Sequence, residues 1–251
     1  GGLAIAFDGS DSALLLPAMV LAGAGAGGLW AAIPAWLRTR FNANEILASL
    51  MLSYVAWLLL SYLVYGPWRD PAGLNFPQSI LFGEAALWPN LWEGTRLNAS
   101  ILVTVVAVPL VWLFVARRFV GFQLRVGGLA PDAARSAGFA AGRAVWIGLL
   151  AGGVAAGLAG VGEVAGPLGQ LQPAVSPGYG FAAIIVAFLG RLHPVGIVLA
   201  SLLMSLLYLG GESAQITMQL PNAISGMFQG LLLFFLLGAD VLVGHRLRLV
   251  R

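Results

Sequence analysis

The chain contains no cysteine and no lysine, and only 9% of its 251 residues are charged. Without cysteine there is no disulfide, thiol nucleophile or thiolate metal site. Without lysine there is no phosphate-binding Walker A loop, which needs a lysine after glycine, so any ATP hydrolysis belongs to another subunit. The low charge excludes a soluble domain of this size, whose surface needs far more polar cover. No H-E-x-x-H motif is present, and Gly211-Glu212-Ser213-Ala214 is only a loose likeness to a serine-protease turn. The two histidines are His193, before a proline, and His245 in a basic tail. With no assembled acid–base set, an enzyme is not expected. The thirteen arginines cluster at helix ends and form no continuous basic face, which argues against nucleic acid as a partner.

What the chain has in abundance is apolar sequence: 59% hydrophobic residues and a mean hydropathy of +0.90. Lipid cannot hydrogen-bond backbone groups, so spanning segments are helices or closed barrels. The apolar runs are long and lack period-2 alternation, which excludes the barrel. The expected fold is all-α, a polytopic transmembrane helical bundle over residues 1–251, with membrane lipid as its solvent. Seven segments are predicted: 13–37, 45–65, 99–116, 144–162, 181–190, 195–209 and 224–243. The fifth and sixth are shorter than the roughly 20 residues a span needs. They read as a tilted hairpin or a re-entrant pair, and 210–221, with Glu212 and Gln215, as a polar loop. The leader 1–11 lacks a basic n-region and the chain does not begin with Met, so missing N-terminal helices are expected.

Small residues four apart, Gly23 with Gly27 and Gly153 with Gly157, predict closely packed helices. Asn42 and Glu45 stand at capping-box spacing, and Asn44-Glu45 reads as an N-terminal cap. Pro109 predicts a kink. Gly66–Asn98 is a long aromatic loop whose tryptophans suit a membrane–water interface. Glu163, at a helix end, reads as an interfacial carboxylate or as lining a polar vestibule. Alternating seven segments with the C-terminus inside puts Arg38, Arg40, Arg117, Arg118, Arg125, Arg135, Arg143, Arg191, Arg246, Arg248 and Arg251 in the cytoplasm. Only Arg69 and Arg96 fall outside, a strong positive-inside bias. The 117–143 loop is cytoplasmic, and within it Gly121–Gly142 carries a short polar helix suited to docking a soluble partner.

Asp132-Ala133-Ala134-Arg135-Ser136-Ala137-Gly138 resembles the E-A-A-x-x-x-G coupling loop of ATP-binding-cassette import permeases, with Asp for Glu. Asn44-Glu45-Ile46 through Leu50-Met51-Leu52-Ser53-Tyr54-Val55-Ala56 resembles the N-E-V-I-x-T-L-M-L-N-Y-I-A helix of the simple-sugar and nucleoside permeases. Gly66-Pro67-Trp68-Arg69-Asp70-Pro71, Gly121-Phe122-Gln123-Leu124-Arg125-Val126-Gly127-Gly128 and Leu189-Gly190-Arg191-Leu192-His193-Pro194-Val195-Gly196 continue the likeness in order. The likeness departs at Ser53 for asparagine, at Ser136-Ala137 for a Tyr-Ala pair, and in lacking an early F-N-I-G-x-E-G-Q helix.

The resemblance implies the permease subunit of an importer for a nucleoside, preferred, or a simple sugar, in a bacterial inner membrane with a cytoplasmic C-terminus. It implies a cytoplasmic ABC ATPase that binds the ATP, a second permease subunit and an extracytoplasmic substrate-binding protein. No cofactor or metal is expected in the chain itself. The expected coupling residues are Arg125, Gly128, Pro131, Asp132, Ala133, Ala134, Arg135 and Gly138, and those of the substrate path or external loop are Asn75, Gln78, Glu163 and Tyr179. The rival expectation is an ion-coupled secondary transporter, for which Glu163 and Asp240 are the plausible intramembrane groups.

Overall fold

A computed structural model describes residues 1–9, 12–73, 76–92, 94–95, 97–176, 178–219, 221 and 223–244. Asn75, Arg96, His245, Arg246, Arg248 and Arg251 lie outside the described residues, as does the side chain of Asp240. The chain divides into two compact units, Gly1–Val175 and Ser176–Arg251.

In the first unit a short α1 (Gly2–Ala6) leads into α2 (Leu15–Phe41), α3 (Glu45–Tyr65) and α4 (Ser100–Arg117). Two short helices, α5 (Phe119–Leu129) and α6 (Pro131–Ser136), precede α7 (Ala141–Glu163), which ends in a π-turn over Val164–Leu168. The second unit holds α8 (Tyr179–Leu189), α9 (Pro194–Met218) and α10 (Ala223–Gly244). Helices α2, α3, α4, α7 with its π-turn, and α9 are each long and apolar enough to cross a membrane.

One expectation is overturned in the second unit. The segment beginning near Val195 is not short: α9 runs 25 residues and takes in the stretch 210–218 read as a polar loop. Glu212 and Gln215 interrupt the apolar run without interrupting the helix, since both residue types have good helix propensity. The 11-residue α8 rises only about 16 Å, roughly half a bilayer. It is joined to α9 by a tight turn in which Arg191 and Leu192 adopt left-handed φ of 50° and 54°. The capping expectation also shifts by one role. Asn44 is the N-cap of α3, its side chain accepting from the N–H groups of Ile46 and Leu47, while Asn42 closes α2 in the left-handed region. Glu45 turns to Arg38, 3.2 Å away, instead of completing a capping box.

The glycine pairs meet each other. Helices α2 and α7 run antiparallel in the most extensive helix contact among the described residues. Gly23 lies on Gly157 and Gly27 on Gly153, so close that a Cβ at Gly27 would stand 3.0 Å from the Gly157 backbone. Neither helix has room there for a side chain. Farther along, Trp146 Nε1 donates to Thr39 Oγ1 at 3.2 Å, tying the end of α2 to the start of α7.

The arginine-bearing ends of α2 and α4, with α5, α6 and the start of α7, therefore lie at one end of this unit. The 66–98 segment lies at the other, and it is no loose loop. Ser79, fully buried, donates its N–H to Leu171 O at 2.9 Å, and its Oγ accepts from the Leu171 N–H at 2.9 Å. Phe82 N–H donates to Gly169 O, Trp88 N–H to Ala165 O, and Trp57 Nε1 to Pro173 O. Those bonds satisfy carbonyls that the π-turn and the segment after it would leave orphaned. The apolar cluster beneath joins Met19, Val64, Phe82, Val164, Ala165 and Leu171. The membrane-length middles of α3 and α4 contribute little to any core, because lipid replaces it there.

Ser79→Ala leaves the buried Leu171 N–H without its acceptor, a cost of about 1–3 kcal/mol. The expected result is trypsin cleavage after exposed Arg69 at least about fivefold faster, about 1 kcal/mol. An unchanged rate would show that the latch does not hold the segment.

Candidate coupling and solute-path sites

The coupling candidates fall together at the arginine-bearing end. Arg118, extended at φ −93°, ψ 146°, breaks α4 from α5, and Gly121 allows the turn because a Cβ there would strike the carbonyls of Phe114 and Val115. After Leu129 the chain turns at Ala130 and begins α6 with Pro131 in its first turn, where a missing N–H costs nothing. Asp132 sits at the positive end of the helix and Arg135 at the negative end, each favoured by the helix dipole. Their side chains approach to 3.7 Å but are 97% and 71% exposed, so this pair adds little stability.

The two alanines of the motif do different things. Ala133 is exposed, whereas Ala134 is buried, where α6 packs on α5. Gly138 closes α6 with φ +78°. Its N–H donates to Arg135 O at 3.0 Å and the Phe139 N–H donates to Ala134 O at 2.9 Å, the paired bonds of a Schellman ending. That explains a glycine at this spacing: the left-handed turn redirects the chain from α6 into α7. Phe139 then meets Phe119 and Phe122 at ring-centroid distances of 5.9 and 6.2 Å, fastening the turn to α5. Between α5, α6 and the start of α7 lies a cavity of about 350 Å³, lined in part by Gln123, Gly128, Arg135, Gly138 and Arg143. Arg125 is exposed on α5 and does not line it.

Of the described solute-path candidates, Gln78 and Glu163 lie toward the same end of the first unit, and Tyr179 belongs to the second. Gln78 lies in the latched 66–98 segment, its Oε1 accepting from Gln170 Nε2 at 3.4 Å. Glu163 is the half-buried last residue of α7, just before the π-turn, and makes no ion pair among the described residues. Tyr179 opens α8 in the other unit and meets Tyr208 of α9 edge-on, with ring centroids 5.5 Å apart. Sequence reading gave no role to Phe139, Ser79 or the serines of α9, and took Glu212 and Gln215 for a loop. The polar residues of α9 carried a usable signal, since Ser201, Ser205, Tyr208, Glu212 and Gln215 recur at alternating spacings of four and three.

Comparison with known proteins identifies the family. Residues 2–237 match the family model described as the permease component of branched-chain amino acid transport systems. The chain is 39% identical over 242 residues to the glucose ABC transporter permease protein TsgB13 of Haloferax volcanii, covering 92% of this chain and 63% of that protein. It is 29% identical to the guanosine ABC transporter permease protein NupP of Bacillus subtilis, covering 92% and 66%. To the nucleoside ABC transporter permease protein NupB of Lactococcus lactis it is 27% identical, covering 82% and 59%. The chain thus spans about three fifths to two thirds of the length of these relatives. No solved structure matches it. By the family match over nearly its whole length, this multi-pass helical chain belongs to the branched-chain amino acid transport system permease family.

Proposed function

We propose that this chain acts as the membrane-spanning permease subunit of an ABC importer for a nucleoside or simple sugar. The observation that carries the reading is α6: a six-residue helix, fixed by a Schellman ending and an aromatic clasp, at the arginine-bearing end of a membrane bundle. A short helix held this rigidly can seat in a cleft of an ATPase and pass a rigid-body movement to α5 and α7, on which it packs. Positive-inside bias puts that end in the cytoplasm. The latched 66–98 segment then faces outward, where a substrate-binding protein delivers solute, and a second permease subunit completes the path.

Relatives named for glucose and guanosine set the solute class to be tested. Purification of this chain from its native membrane should bring an ATP-hydrolysing subunit with it. Vesicles holding that complex should take up labelled glucose or guanosine only with ATP. Uptake that follows a proton gradient and ignores ATP would overturn the reading.

A further inference from the structure

Helix α9 carries three distinct faces along one membrane-length helix. Ala200 and Met204 are buried, with Met204 packed alongside Ala182 and Ile185 of α8. Leu199, Leu202, Leu203 and Leu206 are exposed and suit lipid. The third face is polar: at 3.6 residues per turn, Ser201, Ser205, Tyr208, Glu212 and Gln215 all fall within about 40° of one line down the helix. Ser201, Ser205, Glu212 and Gln215 are exposed and Tyr208 half-buried. A charged side chain costs about 2.5–3.5 kcal/mol at the centre of a span and less toward its end, where Glu212 stands six residues before Met218, so polar groups in spans favour a protein interior or water.

Resting on the importer reading above, we propose that this stripe, with Tyr179 beside Tyr208, is one wall of the hydrated path taken by a neutral, polyhydroxylated solute. A blander account is that the serines merely satisfy themselves on their own helix. Ser201 Oγ does donate to Val198 O at 2.8 Å, and Ser205 Oγ to Ser201 O at 2.9 Å. Those bonds use each hydroxyl's proton and leave its oxygen free to accept from a solute or water. They also leave Glu212 and Gln215 unexplained. The edge-on pair Tyr179–Tyr208, with rings inclined at 82°, adds an aromatic surface for the apolar face of a sugar ring or base. The stripe carries a carboxylate and no arginine, so its charge repels phosphorylated or acidic solutes.

The 251 residues contain no cysteine, which makes the test direct. Single variants S201C, S205C and Q215C, with L202C and L206C as lipid-face controls, are placed in the full-length chain together with its partner subunits in membranes. Each is exposed to the charged reagent sulfonatoethyl methanethiosulfonate, and ATPase co-purification is scored in the same membranes. The expected result is labelling of the stripe positions at least about tenfold faster than of the two leucine positions. Stripe labelling no faster than the controls overturns the inference, and if the ATPase still co-purifies, the importer reading stands without it. Fast stripe labelling without an ATPase keeps the hydrated wall and removes the motor.

Discussion

Gly157→Val and Gly27→Val each destabilise the purified chain by about 3 kcal/mol, the upper range for forcing atoms into a full contact. At a chain of this length that is a fall in thermal midpoint of about 6–12 °C. The cause is geometric. At both positions the new Cβ meets backbone of the facing helix, and backbone cannot swing aside as the end of a long side chain can. The helices must separate, losing contact along the whole α2–α7 seam, including the Trp146–Thr39 bond. In lipid that contact is mostly van der Waals packing, so separation forfeits the main attraction between the pair. Gly152 and Gly160 sit in the same helix with nothing within 4 Å of a would-be Cβ. Gly152→Ala and Gly160→Ala should therefore go the other way, raising stability by up to about 1 kcal/mol through helix propensity. Thermal denaturation of the four variants in one detergent distinguishes the cases. Equal effects at all four positions would mean that the seam is not what holds the unit.

On the importer reading, Gly138→Val cuts capture of the ATPase by about tenfold while insertion is unchanged and the thermal midpoint falls by no more than about 2–8 °C. Here the space around the Cβ is open, with nothing within 4 Å, so no clash arises. The cost is in the backbone: φ of +78° costs a non-glycine residue about 1–2 kcal/mol, and a β-branched side chain tolerates it worst. Relaxing that angle breaks the bonds to Ala134 O and Arg135 O and lets α6 swing away from α5. About 1.4 kcal/mol spent on restoring α6 at docking is a factor of ten in affinity. Gly138→Asn should keep most of the capture, because asparagine visits the left-handed region readily. Deleting residues 132–138 should abolish it. Capture by Gly138→Val equal to that of the unaltered chain would remove the Schellman turn from the coupling argument.

The sequence by itself determined the solvent and the helices. Long apolar runs with 9% charge leave the backbone no way to satisfy its hydrogen bonds in lipid except as helices, so α3 is legible to its boundaries. The Pro131–Gly138 stretch was legible for a local reason as well: proline at the start and glycine at the end are conformational signals that act within one turn. Each glycine pair announced a close approach but not its partner. Tertiary structure alone decided that Gly23 meets Gly157 and Gly27 meets Gly153, because small residues at that spacing fit any similar groove. It alone turned Ser79 into a buried latch, since nothing local marks one serine in a 33-residue loop as facing Leu171. And it carried α9 through Gly210–Met218, where polarity had suggested a loop. Helix continuation is governed by backbone bonding and propensity, whereas hydropathy reports only what surrounds the side chains.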